Sequence, residues 1–290
     1  MSRESAVQKM SRDSQRVCVM LVDNGSLQPA ATRQLRRVAT ALSQRLGRRV
    51  EPVSLLHSSA VPARRLRGRP AEILEVAIRR RIAGGGRDFV IVPLFIGRSR
   101  ALTDYLPGRI ARWRRDHPGL RVRVAAPLAA RQDDRLARLL EDLVRASLTP
   151  AFLRGDVARV AVVDHGSPVR AVTQVRNRIA AQLRRRLGAK VAAVRPCSME
   201  RRPGAADAFN EPLLETLLAT PQWRSGPVIV AQLFLLPGRH AGPGGDVEVI
   251  CQRARKKSSQ LRTRRTPLLG GHPGLVEILA DRFRAATSRR

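Results

Sequence analysis

Residues 23–47 recur, without a gap, as residues 164–188. Asp23-Asn24-Gly25-Ser26 opens one copy and Asp164-His165-Gly166-Ser167 the other. Leu46-Gly47 and Leu187-Gly188 close them, and 11 of the 25 aligned positions are identical, too many for alanine, leucine and arginine background alone. The offset of 141 returns at Gly97-Arg98 and Gly238-Arg239, and Pro127-Leu128 and Pro267-Leu268 each precede a final apolar-periodic segment. Self-similarity of this kind means that one unit folds twice. The expected organisation is a disordered 1–15, a first repeat over 16–146, a linker over 147–156 where Thr149-Pro150 and Gly155 break the pattern, and a second repeat over 157–287.

Within each repeat, apolar runs alternate with helical periodicity. Val157–Val163 is an apolar run broken only by Arg159, as in a strand buried on both faces, and Val175, Ile179, Leu183 and Leu187 then share one helix face. Further strands are expected at Lys190–Val194, Pro227–Phe234 and Leu261–Arg265, with Asn210 capping a helix that begins at Glu211-Pro212 and further helices over Gly244–Lys257 and Pro273–Ala285. The first repeat gives strands near Val17–Val22, Arg49–Leu55, Phe89–Leu94 and Arg121–Ala125. Strands separated by helices predict an α/β fold: two tandem domains, each a four-stranded parallel sheet with helices on both faces.

The formal net charge is +32, from 55 basic and 23 acidic residues. Such a balance suits a polyanionic partner. A specific nucleic-acid partner is not expected, because aromatic residues, the usual stacking platforms for bases, are only 3% of the chain, and the arginines are spread along helices. Cys18, Cys197 and Cys251 form no CxxC pair, which removes zinc-ribbon and redox-motif readings. No apolar run is long enough to span a bilayer, and Met1–Arg16 lacks the apolar core of a signal peptide, so a cytoplasmic protein without a membrane partner is expected. Gly84-Gly85-Gly86 lacks the Lys-Ser/Thr of a P-loop and reads as the end of a helix.

Open parallel sheets bind ligands beyond the carboxyl ends of their strands, where the strand order reverses. In a 2-1-3-4 sheet that point lies between strands 1 and 3. His165 follows the first strand of the second repeat, and His240 follows its third; Glu200 follows the second. Two imidazoles and a carboxylate at one strand edge can hold a divalent transition metal. Each residue also has a plain reading: His165 or Asp164 as a helix cap, His240 as a solvated loop residue, Glu200 paired with Arg201 and Arg202. The repeat argues for the metal. At the same offset, His165 becomes Asn24, Glu200 becomes Ser59 and His240 becomes Ser99, so the candidate ligands are absent where the scaffold persists.

The Asp-His-Gly-Ser segment, Leu233-Phe234-Leu235 with Gly238 and His240, Asp246, and Leu268-Leu269-Gly270-Gly271-His272-Pro273 together resemble the class II chelatases, the sirohydrochlorin cobalt- and ferrochelatases of cobalamin and siroheme synthesis. Ser198-Met199-Glu200-Arg201-Arg202 and Phe209-Asn210-Glu211-Pro212 extend the likeness, which covers both halves, as in the long, duplicated form. Val247-Glu248 stands where that family usually has Ile-Pro, and the glycine-rich Ala241–Gly245 is unusual for it. In the long forms the first half would be expected to carry the site; here it is the second.

The resemblance implies ATP-independent insertion of Co²⁺ or Fe²⁺ into a tetrapyrrole, with His165 and His240 as metal ligands, Glu200 relaying protons or completing the coordination, and no cofactor beyond the substrate metal. It also implies carboxylate-binding arginines, for which Arg170, Arg195, Arg202 and Arg239 are the candidates. A degenerate chelatase that binds metal or tetrapyrrole without catalysis is the competing reading.

Overall fold

The computed structural model describes residues 17–130 and 132–288, so the expected disorder of 1–15 concerns residues outside that set. The first repeat builds β1 (Val17–Asp23), α1 (Pro29–Leu46), β2 (Val50–Ser54), α2 (Leu74–Ala83), β3 (Asp88–Pro93), α3 (Leu106–Asp116), β4 (Arg121–Val124) and α4 (Arg135–Ser147). A short α5 (Pro150–Leu153) follows in the linker. The second repeat builds β5 (Arg159–Asp164), α6 (Arg170–Leu187), β6 (Ala193–Ser198), α7 (Leu214–Ala219), β7 (Gly226–Gln232), α8 (Asp246–Lys257), β8 (Leu261–Arg265) and α9 (Gly274–Ser288). Both sheets are parallel, in the orders β2-β1-β3-β4 and β6-β5-β7-β8. The strand order therefore reverses beside β1 and β5, where the candidate residues were expected.

The central strands are apolar because both their faces are covered. Met20 and Val22 pack with Phe89 and Ile91 against Ile78 of α2 and Leu106 and Trp113 of α3. Val19 and Leu21, equally buried, point to the opposite face, as the twofold alternation of a strand requires. In the second sheet, Ala161 and Val163 join Val228, Val230, Leu217 and Cys251 in the corresponding cluster. Gly86 N–H closes α2 on the Arg81 carbonyl at 2.8 Å, so the triple glycine ends a helix as read. Among the described residues, no helix is long and apolar enough to cross a membrane.

Two expected elements shift. The strand placed at Lys190–Val194 runs instead from Ala193 to Ser198, after a 3-10 turn at Gly188–Lys190. It is an edge strand, where Arg195 and Pro196 are tolerated and break the apolar pattern that marks central strands. Asn210 does not cap a helix: it ends a 3-10 turn, α7 starts at Leu214, and its amide is engaged elsewhere.

The compact units do not coincide with the repeats. Among the described residues, one unit takes 17–95, 100–128 and 276–288, and the other 96–99 and 129–275. The last helix of each repeat thus completes the unit built on the other repeat's sheet. In the second unit, α4 packs on α6 and β7. Leu136, Leu140 and Val144 are buried there, and Glu141 accepts Arg186 Nε at 2.5 Å and Arg145 Nε at 2.8 Å. Burial raises the Glu141 carboxyl, but the two guanidinium groups outweigh it and hold the group below the usual range. In the first unit, Arg282 of α9 donates to the Pro127 and Leu128 carbonyls at 3.1 and 2.8 Å.

Each fully buried leucine contributes about 1.5–3 kcal/mol, against a total domain stability of about 5–15 kcal/mol. A fragment 157–288, which lacks α4, is therefore expected to melt broadly and bind a hydrophobic dye, whereas 129–288 recovers a sharper transition. Indistinguishable melts for the two fragments would show that α4 is dispensable to the second unit.

Candidate active site

The second sheet places its polar residues through backbone bonds that continue past the strand ends. Met199 N–H donates to the Asp164 carbonyl at 2.8 Å and Glu200 N–H to the His165 carbonyl at 3.1 Å, extending the β5–β6 ladder by two residues. This close passage needs Gly166: its φ is +94°, and a Cβ there would lie 1.9 Å from the Glu200 carbonyl oxygen. The outcome is Glu200 Oε1 at 3.2 Å from His165 Nε2. Glu200 therefore pairs with His165, while Arg201 pairs with Glu211 at 2.6 Å.

His240 arrives from the loop after β7. Asp246 N–H bonds to the Arg239 carbonyl at 3.2 Å and Val247 N–H to the His240 carbonyl at 3.1 Å, which docks the loop on the first turn of α8. The rings of His165 and His240 meet edge to face, with centroids 4.5 Å and Nε2 atoms 3.2 Å apart. Both other ring nitrogens face acceptors: His240 Nδ1 lies 2.7 Å from Asp246 Oδ2, and His165 Nδ1 lies 3.0 Å from the Gly166 carbonyl. Asp246 assigns a hydrogen to His240 Nδ1 and leaves the lone pair on its Nε2, whereas His165 has an acceptor at each ring nitrogen, the Gly166 carbonyl at Nδ1 and Glu200 at Nε2. Nε2 atoms 3.2 Å apart can be bridged by a proton or by a metal cation that both rings hold. Two nitrogen–metal bonds of about 2.1 Å at a tetrahedral angle span about 3.4 Å, so the pair is already set near chelating distance.

The donor set is incomplete. Among the described residues, no three His, Cys, Asp or Glu side chains converge as a closed metal cage. The side chains of His165 and Glu200 are 47% and 57% exposed, so the site is an open shelf that a flat ligand can reach.

A buried polar network holds this shelf in place. Arg176 of α6 is 1% exposed; its Nη1 donates to the Asn210 carbonyl at 3.1 Å, approaches Asp164 Oδ1 at 3.4 Å and contacts Ser198 Oγ. Ser198 Oγ donates to Asp164 Oδ1 at 2.7 Å. Asn210 uses its full amide capacity: Oδ1 accepts Ser167 N–H and Thr173 Oγ1, and Nδ2 donates to the Ser167 and Asp207 carbonyls, all at 3.0 Å. Burial raises the Asp164 carboxyl above its usual range, with Arg176 and Ser198 pulling back against it.

The sequence reading missed Arg176 and the role of Asn210, because a lone arginine on an arginine-rich helix carries no local signal of burial. Asp246 had one: an aspartate at the start of α8, six residues after His240.

The arginine candidates separate. Arg170 stacks over Phe209 with its guanidinium carbon 4.6 Å from the ring centroid. Arg202 is exposed in the loop after β6, and Arg239 is 83% exposed with Nε 3.9 Å from Asp246. Arg195 sits inside β6 opposite Ala161, three residues before the strand end and so about 10 Å below the histidines' edge.

In the first sheet, Leu56 N–H bonds to the Asn24 carbonyl at 3.2 Å as Glu200 N–H bonds to that of His165. The structural counterpart of Glu200 is thus Leu56, not Ser59. The constant offset fails there because β2 and β6 pair with their neighbours at Asp23–Ser54 and Asp164–Ser198, three residues out of step. At offset 141 Leu35 occupies the place of Arg176, so Asp23 has no arginine there. Asp23 Oδ1 has no hydrogen-bond partner among the described residues, and burial pushes the carboxyl up to about 6 despite bonds to Ser54 and Gly25.

The sequence profile of the CbiX family matches residues 18–147 and, a second time, 159–286. No curated protein sequence matches significantly. Among solved structures, SirB from Bacillus subtilis with Fe³⁺ is similar over 94% of this chain and 96% of its own, at 16% identity and a TM-score of 0.71. The sirohydrochlorin chelatase SirB from Bacillus subtilis subspecies spizizenii in complex with cobalt gives the same coverage and identity, with a TM-score of 0.69. A multi-domain Deinococcus radiodurans protein, described as structurally similar to chelatases, matches at 18% identity and a TM-score of 0.63 over 94% of this chain and 56% of its own.

Asp23 supplies a pH test. Its folded carboxyl titrates near 6 and the unfolded one near 3.8, so between these values the folded state holds the extra proton and stability falls as pH rises. Asp23→Asn is expected to stabilise the protein by about 1–3 kcal/mol at pH 7.5, with the gain fading by about pH 4. A gain that is constant with pH in thermal melts would assign it to something other than this ionisation.

Proposed function

The chain belongs to the CbiX family in a tandem form, and from that premise we propose that it inserts a divalent metal, Co²⁺ or Fe²⁺, into sirohydrochlorin or a similar tetrapyrrole. The observation that carries this reading is the pair of Nε2 atoms 3.2 Å apart, with an acceptor facing each Nδ1. In the reaction a metal dication enters the macrocycle and two pyrrole protons leave.

The residues divide that work. His165 and His240 hold the incoming metal through Nε2, and an open shell of two nitrogens lets it go as pyrrole nitrogens replace them. A released imidazole is then a base beside the macrocycle. His165 passes its proton to Glu200, 3.2 Å away and open to solvent. The Asp246 carboxylate accepts from His240 Nδ1 at 2.7 Å and orients the ring. Arg170, Arg202 and Arg239 are candidates for the carboxylate side chains of the substrate, whereas Arg195 lies too far down its strand. No nucleotide and no cofactor beyond the substrate metal enters the scheme.

The test is anaerobic incubation with sirohydrochlorin and Co²⁺ or Fe²⁺, following macrocycle absorbance against the uncatalysed rate. His165→Ala and His240→Ala are each expected to abolish most of the catalysed rate, and Glu200→Gln to lower it by about 10²-fold with metal affinity largely kept. Asn24→Ala and Ser99→Ala should stay within about threefold, since an amide and a hydroxyl are poor ligands for these metals. First-repeat substitutions as damaging as the histidine ones would move the site away from the second repeat.

A further inference from the structure

His240 is followed by Ala241-Gly242-Pro243-Gly244-Gly245, a segment whose three glycines leave a free chain many conformations. Gly242 and Gly244 take φ values of +114° and +71°. Such a loop is a poor support for a ring that must stand 3.2 Å from another. The structure ties it down through two side chains outside the loop. Glu248, on the first turn of α8, accepts Gly244 N–H at 2.6 Å and Arg265 Nη2 at 2.9 Å, both on Oε2. Arg265 in turn donates from Nη1 to the Gly242 carbonyl at 2.9 Å.

The clasp is anchored on the sheet. Arg265 is the last residue of β8, paired in register with Val230 of β7. Both side chains are about three-quarters buried, at 27% and 23% exposure, so this pair is shielded in a way that a surface ion pair is not. The loop also presses on His240 itself: a Cβ at Gly245 would lie 2.9 Å from the His240 carbonyl carbon and oxygen.

We propose that Glu248 and Arg265 are positioning residues, which fix the glycine-rich loop and thereby hold His240 at chelating distance from His165. The positioning of His240 stands on the contacts alone; its consequence for metal rests on the function proposed above.

Two measurements on the full chain test this. Hydrogen exchange of the metal-free protein is read at Gly244, Asp246 and Val247, with α6 amides as the internal control. Co²⁺ titration is read from the visible bands of the bound ion. Glu248→Ala and Arg265→Ala are each expected to speed loop exchange by about tenfold with α6 unchanged, and to weaken Co²⁺ binding by about tenfold. Glu248→Gln keeps an oxygen for Gly244 N–H and should lose less. The Glu248→Ala/Arg265→Ala double variant should be no worse than either single one, and Glu248→Ala in a His240→Ala background should cost no further Co²⁺ affinity.

Loop exchange unchanged in both alanine variants, or faster exchange spread equally over α6, overturns the proposal. If Glu248→Ala fails to fold, Glu248→Gln and Arg265→Lys are read in the same exchange assay. A wild-type protein that binds Co²⁺ without inserting it refutes the proposed function and leaves the clasp standing. If it binds no Co²⁺, loop exchange alone decides.

Discussion

Arg176 brings a full positive charge into the second unit at 1% exposure, and the strand end that carries His165 is built around it. Its guanidinium meets Asp164 at the tip of β5, Ser198 at the tip of β6 and the carbonyl of Asn210. Asn210 then holds Ser167, so one cation and one amide fix both sides of the His165 turn. Removing one member of such a buried set typically costs about 3–5 kcal/mol, because the partner stays behind unpaired. The first unit shows the alternative. With Leu35 at the corresponding place, Asp23 remains buried and its carboxyl is driven up to about 6. The half that keeps the histidines also keeps the arginine; the half without them has apolar Leu56 where Glu200 would be.

The large positive charge takes on a structural meaning in the same light. Arg36 donates to the Leu66, Arg69 and Pro70 carbonyls, Arg114 to Val122, Arg262 to Phe152 and Leu153, and Arg264 to Ser147. These guanidinium groups satisfy backbone oxygens at helix ends, in loops and, at Val122, on an edge strand, where their several donors in a fixed plane are well suited. Much of the arginine content is thus engaged within the fold, and the arginines left at the histidine edge, Arg170, Arg202 and Arg239, are few.

Two devices bring His165 and His240 together, and they differ in kind. His165 is fixed by a buried polar network continuous with the sheet. His240 is fixed by Asp246 on its ring and by the loop that α8 and Arg265 hold in place. The second arrangement lies on a glycine-rich loop, a type of element that holds one conformation only where side chains tie it down.

The sequence by itself determined the duplication, the alternation of strand and helix, and the two histidines after the first and third strands of the second repeat. Those features are local: apolar runs, periodicity and glycine positions are written in consecutive residues. The 2-1-3-4 order, assumed from sequence as the common one, is set by the sheets themselves. Only the tertiary structure decided that Arg176 is buried rather than solvated, that Asn210 bridges a turn instead of capping a helix, and that Glu200 corresponds to Leu56. It also decided that each repeat's last helix completes the unit of the other. An amphipathic helix such as α4 shows in sequence that it must bury one face, but not against which sheet, and an arginine shows its charge but not its partner. Both depend on surfaces that meet only after distant segments have packed.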